Sequence, residues 1–161
     1  EMLRSLVGSE MCIRDRFGHV ESRQNRIDHM LRIRDLQDKT GGFNAFIPLV
    51  YQRDNNYLKV ENYPGSAEIL KTFAISRLVL DNVAHIKAYW ATSTINLAMV
   101  AQEFGADDLD GTIEKESIQS AAGAKSASGM SLRNFTDLIQ TSGFVPVERD
   151  SLYNELKIYD N

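Results

Sequence analysis

Apolar and polar positions follow two different periods along the chain, one typical of helices and the other of buried strands. Residues 22–39 carry apolar side chains at near-helical spacing. Ser22 stands where a helix N-cap is expected, and the Gly41-Gly42 pair stands where a helix should end. The apolar run 43–50 that follows predicts a buried strand. Residues 17–21 look like the end of a strand, so residues 17–50 predict a strand end, a helix and a buried strand.

The same alternation continues to the end of the chain. We predict a loop over 52–65, a helix from Ser66 with Leu70, Phe73, Ala74 and Leu78 on its apolar face, and a strand over 85–90. A third helix follows, capped by Ser93 and ended by Gly105, and then a short strand around Leu109. Further helices are predicted over 112–122 and from Ser131, and a short strand over 145–147 precedes a polar tail. Pro48 should lie at the end of its strand, because proline cannot donate to a sheet ladder. Strands that alternate with helices predict an α/β fold with a parallel sheet.

The length suggests which α/β fold this is. Residues 17–161 amount to roughly half of a typical (β/α) barrel of about 250 residues. Half a barrel would leave an open strand edge. We therefore expect residues 17–161 to be the C-terminal part of a TIM-type (β/α) barrel, and a small doubly wound sheet is the alternative.

The first sixteen residues stand apart from this pattern. They lack the apolar core and cleavage site of a signal peptide, and their pattern suits neither a helix nor a strand. They resemble translated sequencing-adapter read-through. We expect residues 1–16 to be a non-native leader, with a genuine frayed terminus as the alternative. Cys12, the only cysteine, then has no biological role, and the chain has no disulfide framework.

Composition excludes several classes of function. Of the 161 residues, 43% are hydrophobic and 25% are charged, which is ordinary for a globular protein. The net charge of -4 argues against nucleic acid or an anionic membrane as the partner. No apolar stretch approaches the roughly 18 residues of a membrane span. We therefore expect a cytoplasmic protein with neither nucleic acid nor a membrane as its main partner.

In repeating strand–helix folds the chemistry lies at the carboxyl ends of the strands. The candidates that we place there are Gly18, His19, Glu21, Ile47, Pro48, His85, Lys87, Tyr89, Trp90, Asp107, Asp108 and Asp110. The histidines match no compact metal-ligand spacing. The three aspartates could bind Mg²⁺, or they could cap the next helix and hold arginines. The residues alone predict half of an α/β enzyme with a polar pocket and name no substrate.

Six segments, taken in order, resemble the aminofutalosine synthase family, radical S-adenosylmethionine enzymes of the futalosine route to menaquinone. The segments are residues 18–21, 36–49, 76–82, 85–90, 105–112 and 147–154. Two sister families, cyclic dehypoxanthinyl futalosine synthase and the FO synthase of deazaflavin formation, share the architecture and typically carry glycine in place of Asp110. Asp110, segment 85–90 and segment 147–154 favour aminofutalosine synthase. A non-catalytic α/β binding module is the alternative from a different class.

The resemblance implies a radical barrel with a [4Fe-4S] cluster that a CxxxCxxC loop holds through three thiolates. S-adenosylmethionine is a substrate: its 5′-deoxyadenosyl radical adds to 3-[(1-carboxyvinyl)oxy]benzoate to give 6-amino-6-deoxyfutalosine, methionine and CO₂ or bicarbonate. A flavodoxin- or ferredoxin-like electron donor is the implied partner. The cluster ligands would lie outside this chain, so we expect the chain alone to be inactive.

The resemblance also assigns residues, and it names no catalytic residue and no metal ligand in this chain. For S-adenosylmethionine binding it implies Gly18, Glu21, Ile47 and Pro48. From strand-end position we expect His19, His85, Lys87, Tyr89, Asp110 and Thr112 to bind the substrate, with either His85 or Lys87 meeting a substrate carboxylate. The chain departs from the family pattern at Ala84, where relatives usually carry proline, and at residues 91–93, which replace a bulkier stretch.

Overall fold

A computed structural model describes residues 11–113, 121 and 129–160. Its elements are β1 Met11–Phe17, α1 Arg23–Thr40, β2 Phe43–Val50, α2 Ser66–Val79, β3 His85–Ile86, α3 Trp90–Ser93, α4 Ile95–Ala101, a 3₁₀ turn Gln102–Phe104, α5 Leu132–Thr141, β4 Val147–Arg149 and β5 Glu155–Ile158. Most of the predicted helix over 112–122 lies outside the described residues.

The three strands β1, β2 and β3 form one parallel sheet in that order. β1 pairs with β2 along its whole length, whereas β3 contributes only His85 and Ile86. Beyond β3, Lys87 forms a single parallel bridge with Asp108. Helices alternate with these strands along the chain, so the predicted α/β fold with a parallel sheet is confirmed. Closure of the sheet into a barrel stays a prediction.

Helix α1 begins and ends where the sequence predicts. The Ser22 hydroxyl accepts from the Asn25 N–H at 3.1 Å, and the Asn25 side chain accepts from the Ser22 N–H at 2.9 Å. This reciprocal pair is a capping box, which satisfies two backbone donors that the helix leaves free. At the other end Gly41 adopts a left-handed conformation with φ of 58° and donates to the Gln37 carbonyl. Local cap chemistry therefore fixes both ends of α1.

One apolar core joins the sheet to α1, α2, α4 and α5. Its buried members include Phe17, Met30, Ile33, Phe46, Ile69, Phe73, Ile86, Ala98, Phe135 and Ile139. Phe46 and Ile86 are register partners on neighbouring strands. Because side chains alternate along a strand, Lys87 points to the opposite face from Ile86. This alternation places Lys87 away from the helix-covered face on which Ile86 lies.

The buried face of α2 matches the predicted one in part. Phe73 is buried and Leu70 packs against the core, whereas Leu78 is 78% exposed. Thr72 and Ser76 are buried as well. The Thr72 hydroxyl donates to the Glu68 carbonyl and the Ser76 hydroxyl to the Thr72 carbonyl, so these two polar residues can face the core. The apolar pattern therefore predicts part of the buried face and does not reveal the buried hydroxyls.

Two strand predictions require correction. Residues 11–16 belong to β1, so the statement that they suit no strand is wrong, while their non-native origin stays a prediction. Pro48 lies inside β2 and pairs with Asp15. The Phe46 carbonyl faces β3, since it accepts from the Lys87 N–H. Backbone groups alternate in direction along a strand, so the backbone of Pro48, two residues later, also faces the β3 side. The β2–β3 ladder covers only Ala45 and Phe46, so Pro48 meets no acceptor there.

Later elements differ as well. The strand predicted over 85–90 stops at Ile86, because the Tyr89 carbonyl accepts from the Thr92 and Ser93 N–H groups and the chain coils into α3. Thr94, and not Ser93, caps α4. Ser131 caps α5 as predicted. The tail forms the β4–β5 hairpin, a separate antiparallel pair that was not predicted.

Among the described residues, no helix combines the length and the apolar character that crossing a membrane requires.

Candidate functional site

A cavity of about 730 Å³ opens between β3, residues 107–112, α5 and the β4–β5 hairpin. Its apolar wall comes mainly from α5 and the chain that follows it, and includes Leu109, Phe135, Ile139, Val145 and Pro146. Its polar wall includes His85, Lys87, Asp108, Asp110, Thr112, Arg149 and Tyr153. The structure therefore brings together four of the predicted substrate residues: His85, Lys87, Asp110 and Thr112.

The centre of the polar wall is Lys87, which is only 6% exposed. Its ammonium lies 2.7 Å from Asp110 Oδ1 and 3.5 Å from Asp108 Oδ2. Burial lowers the pKa of Lys87, but the two carboxylates outweigh burial and the net pKa is raised. Lys87 is therefore a buried ammonium that remains charged at neutral pH.

Asp108 joins Lys87 to the hairpin. Its Oδ2 accepts from the Arg149 guanidinium and from the Tyr153 hydroxyl, the latter at 2.6 Å. Burial raises the pKa of Asp108, but Lys87, Tyr153 and Arg149 together bring it below its ordinary value. We call Lys87, Asp108, Asp110, Arg149 and Tyr153 the Lys87 network. Its two cations and two carboxylates balance in charge, as buried charges require.

Asp110, which carries one of the carboxylates that bind Lys87, has a left-handed backbone conformation. Asp110 has φ of +63°, in the left-handed region that glycine adopts most readily. The next peptide is fixed from the other side, because the Trp90 indole donates to the Gly111 carbonyl at 2.9 Å. Trp90 is 2% exposed and is the only tryptophan of the chain. The turn that carries Asp110 is thus fastened to the core.

His85 lies at the amino end of strand β3, whereas the sequence predicts it at the carboxyl end of a strand. It is the first residue of β3 and pairs with Ala45, five residues before the end of β2, which corresponds to about 16 Å. Its Nδ1 lies 2.8 Å from Asp107, whose carboxylate also accepts from Arg77. The loop before β3 is short and β3 has only two residues, so His85 cannot reach the opposite edge.

A second polar group follows β1, at the true carboxyl edge. Glu21 accepts from the Gly18 and His19 N–H groups at 2.6 and 2.9 Å and from Arg26 at 2.6 Å. Burial raises the pKa of Glu21, but these three bonds bring it below the ordinary value. Arg26 also reaches Glu68 at the start of α2. We call Gly18, His19, Glu21, Arg26 and Glu68 the Glu21 cluster.

The Glu21 cluster has its polar groups occupied within the chain. A Cβ added to Gly18 would lie 2.6 Å from the Pro64 ring, so proline fills the space beside this glycine. The His19 ring bonds the Arg16 carbonyl through Nε2. Ile47 and Pro48 are buried within β2. The S-adenosylmethionine roles of Gly18, Glu21, Ile47 and Pro48 and the substrate role of His19 stay predictions.

The two remaining predicted residues lie at different places. Thr112 is half-buried on the cavity, and its carbonyl accepts from the Met130 N–H at 3.2 Å. Tyr89 is half-buried and directly precedes α3. It does not line the cavity. Both substrate roles stay predictions.

The three aspartates of the acidic run pair with cations of the chain: Asp107 with Arg77, Asp108 with Arg149 and Asp110 with Lys87. The first two hold arginines, as one of the two interpretations expects, and magnesium binding stays a prediction. No group of three or more potential metal ligands occurs in the described parts of the chain. The chain has one cysteine, so it does not fit a cluster that requires three thiolates.

Sequence reasoning missed Arg149 and Tyr153 as site residues. The sequence predicts a polar tail here, and contacts between distant parts of the chain bring Arg149 and Tyr153 to Asp108. A local signal was present, because Asp150 and Asn154 are typical turn residues. Asp150 accepts from the Leu152 and Asn154 N–H groups and so builds the turn that carries Tyr153.

Together these features define a mixed α/β protein with a parallel sheet and a charge-balanced network facing a cavity. Residues 40–161 match the family described as the CofH/MqnC C-terminal region, and the chain belongs to this family. It is similar to the aminodeoxyfutalosine synthase of Thermus thermophilus, with 44% identity over 148 residues. That match covers 89% of this chain and 40% of the relative.

Two relatives from Streptomyces coelicolor are nearly as similar. An aminodeoxyfutalosine synthase is 41% identical over 155 residues, covering 89% of this chain and 40% of the relative. A cyclic dehypoxanthine futalosine synthase is 42% identical over 144 residues, covering 89% and 36%. The chain thus spans about two fifths of the length of these relatives. All three relatives are named as synthases, so the similarity indicates an enzyme.

Proposed function

We propose that this chain forms the C-terminal part of a radical barrel enzyme with aminodeoxyfutalosine synthase activity. The whole protein would join the adenosyl part of S-adenosylmethionine to 3-[(1-carboxyvinyl)oxy]benzoate, with release of methionine and of one carboxylate as CO₂ or bicarbonate. A [4Fe-4S] cluster and an electron donor belong to this proposal. The single cysteine means that the cluster would be held by residues outside this chain.

The observation that carries the proposal is the Lys87–Asp110 pair. The sister families typically have glycine at position 110, and the left-handed backbone there would suit glycine. This chain instead places an aspartate in that conformation, and its carboxylate binds a buried lysine at 2.7 Å. Left-handed backbone persists where surrounding contacts fix it, so the Lys87–Asp110 contact supports a role for this side chain.

Lys87 is the group that we assign to a substrate carboxylate. An ammonium has three donors, and Asp110 accepts one of them in a hydrogen bond. The same cavity is also lined by apolar side chains, which a benzoate ring would require. His85, Tyr89, Thr112 and His19 remain the further substrate residues of the proposal.

Cyclic dehypoxanthine futalosine synthase activity is the second candidate. Its support is the 42% identity to the Streptomyces coelicolor enzyme, which differs little from the 44% to the first relative. Overall similarity therefore does not separate the two activities, and the argument depends on Asp110.

A chimera tests the proposal. This chain replaces the matching 148-residue region of the Thermus thermophilus aminodeoxyfutalosine synthase. The purified chimera is reconstituted with iron and sulfide, reduced with dithionite and given S-adenosylmethionine with the enol-ether benzoate. We expect aminodeoxyfutalosine by mass spectrometry, and a loss of about tenfold or more in kcat/KM for Asp110→Gly, equivalent to one charge-assisted hydrogen bond.

The iron content of the chimera serves as the control for its assembly. A chimera that holds iron and converts dehypoxanthine futalosine, but not the enol-ether benzoate, would establish the second candidate. Full activity of Asp110→Gly would show that the Asp110 carboxylate is not needed, and Asp110 would then no longer favour the first activity over the second.

A further inference from the structure

The turn between β4 and β5 holds Tyr153 in a conformation that bulky residues avoid. Tyr153 has φ of +62°. Left-handed backbone costs roughly 1–2 kcal/mol for a residue with a side chain. Such a conformation persists only where the surrounding contacts fix it. The contacts of Tyr153 should therefore identify what the turn is built to do.

Three contacts fix the Tyr153 side chain, and all of them lead to the cavity. Its ring stacks on His85 with centroids 3.8 Å apart and planes 4° from parallel. The Arg149 guanidinium covers the ring with 3.8 Å to the centroid. Its hydroxyl donates to Asp108 Oδ2 at 2.6 Å. The hairpin thus places the Tyr153 ring and hydroxyl and the Arg149 guanidinium next to His85 and Asp108.

Asp108 transmits these contacts to Lys87. Its Oδ2 is shared by Arg149, by Tyr153 and, at 3.5 Å, by the Lys87 ammonium. The Asp108 carboxylate also accepts from the Asp110 N–H at 3.2 Å, which ties it to the turn that carries the other partner of Lys87. The side chain of Asp108 is 8% exposed, so it has little freedom to move once both hairpin donors are bound.

We propose that Tyr153 and Arg149 are positioning residues, which hold Asp108 and through it direct the Lys87 ammonium at the cavity. This inference rests on the proposed function for the identity of the group that Lys87 binds. With the β4–β5 hairpin docked, the site at which Lys87 would bind a substrate carboxylate is complete. Without the hairpin, Asp108 would lose the donors Tyr153 and Arg149, and Asp110 would be the remaining fixed partner of Lys87 in the Lys87 network. Neither hairpin residue needs to touch the substrate.

The chain offers a matched pair of variants. Tyr153→Phe removes the hydroxyl bonded to Asp108 and keeps the ring on His85. Tyr159 follows β5 and also lines the cavity, but its hydroxyl donates to Glu148 at 2.7 Å instead of to Asp108, so Tyr159→Phe is the matched control. A second pair is Arg149→Gln against Arg133→Gln, whose arginine is 90% exposed on α5.

The first measurement does not involve substrate. Lysines of the folded chain are labelled briefly with acetic anhydride, and Lys87 is compared with the exposed Lys59 by mass spectrometry. We expect Tyr153→Phe and Arg149→Gln to raise relative Lys87 labelling about threefold or more, as loss of one net hydrogen bond allows. Tyr159→Phe and Arg133→Gln should leave it unchanged. A rise of equal size in both members of a pair, or in neither, overturns the positioning role.

The second measurement separates this inference from the proposed function. Trp90 bonds the Gly111 carbonyl and is the only tryptophan, so its fluorescence reports on the cavity turn. The wild-type chain is titrated with 3-[(1-carboxyvinyl)oxy]benzoate. We expect binding that Tyr153→Phe weakens and Tyr159→Phe does not. If Lys87 labelling responds to Tyr153→Phe but no probe binds, the positioning role stands and the proposed ligand of Lys87 is wrong.

Discussion

The Glu21 cluster and the Lys87 network are both buried groups of charges next to the parallel sheet, yet they differ in what they face. In the Glu21 cluster, Glu21 is saturated by two backbone N–H groups and Arg26, and proline fills the adjacent space. In the Lys87 network, a lysine and two carboxylates line a cavity of about 730 Å³.

The difference shows that strand-end position alone does not identify a site. Both groups contain a depressed carboxylate pKa, and in both the cause is neighbouring donors that outweigh burial. The Glu21 cluster uses its donors to join the end of β1 to α1 and α2. The Lys87 network draws on segments from distant parts of the chain and leaves a charged wall open to a ligand. Open space beside the charges is the better criterion.

The largest expected effect is on Asp108→Ala, which removes one carboxylate from two cations. We expect a loss of about 3–5 kcal/mol in the free energy of unfolding, because Lys87 and Arg149 lose a shared buried partner. Urea denaturation measures it. Asp81→Ala is the control, since Asp81 is 61% exposed and pairs with Arg34, and it should lose less than about 1 kcal/mol. Similar losses in both variants would show that the Lys87 network is not a buried unit.

Gly18→Ala tests the packing of the Glu21 cluster. The new Cβ would lie 2.6 Å from Pro64 at φ of +86°. We expect a loss of about 2–4 kcal/mol in urea denaturation from backbone strain together with overpacking. Gly143→Ala is the matched control, because Gly143 has φ of +88° with nothing within 4 Å, so it should show only the strain of about 1–2 kcal/mol. Equal losses would mean that space beside Gly18 is open, as an adenosine-binding glycine requires.

Sequence reasoning succeeded where local chemistry decides the structure. The capping residues Ser22 and Gly41 set the bounds of α1, and the apolar run of β2 marks a strand that is buried on both faces. On α2 the pattern correctly predicts Leu70 and Phe73 on the core side. It misses the buried Thr72 and Ser76, because their hydroxyls are satisfied within the helix and an apolar pattern does not reveal this.

The candidate site was predictable only in part. Lys87, Asp110 and Thr112 follow from their position near strand ends, and the structure places all three on the cavity. Arg149 and Tyr153 were missed because the hairpin meets Asp108 through contacts about forty residues apart in sequence. His85 was placed at the wrong edge because β3 is two residues long, and strand length depends on tertiary pairing.

Glu21→Gln separates the two regions by pH. The folded pKa of Glu21 is depressed, so its stabilisation is present above the unfolded pKa of about 4.3 and is lost as pH falls through the folded pKa. We expect the variant to be less stable than wild type by about 1–3 kcal/mol at pH 7. The difference should shrink below about pH 4. Urea denaturation across this range measures it.

The same variant should leave the cavity unchanged. Titration with the enol-ether benzoate, followed by Trp90 fluorescence, should give the wild-type affinity for Glu21→Gln. A weakened affinity would connect the Glu21 cluster to the cavity and end the distinction between the two regions.

The smallest expected effect is on Asp110→Gly, where two contributions oppose each other. Glycine relieves the left-handed backbone at φ of +63°, but Lys87 loses its partner at 2.7 Å and, among the described residues, is left with Asp108 at 3.5 Å. We expect a net change within about 1 kcal/mol in the free energy of unfolding. Asp110→Ala loses the same carboxylate without relieving the backbone, so it should be less stable than Asp110→Gly by about 1–2 kcal/mol. Equal free energies of unfolding for the two variants would show that the backbone at position 110 does not favour glycine. The presence of aspartate there would then give no support to a functional role.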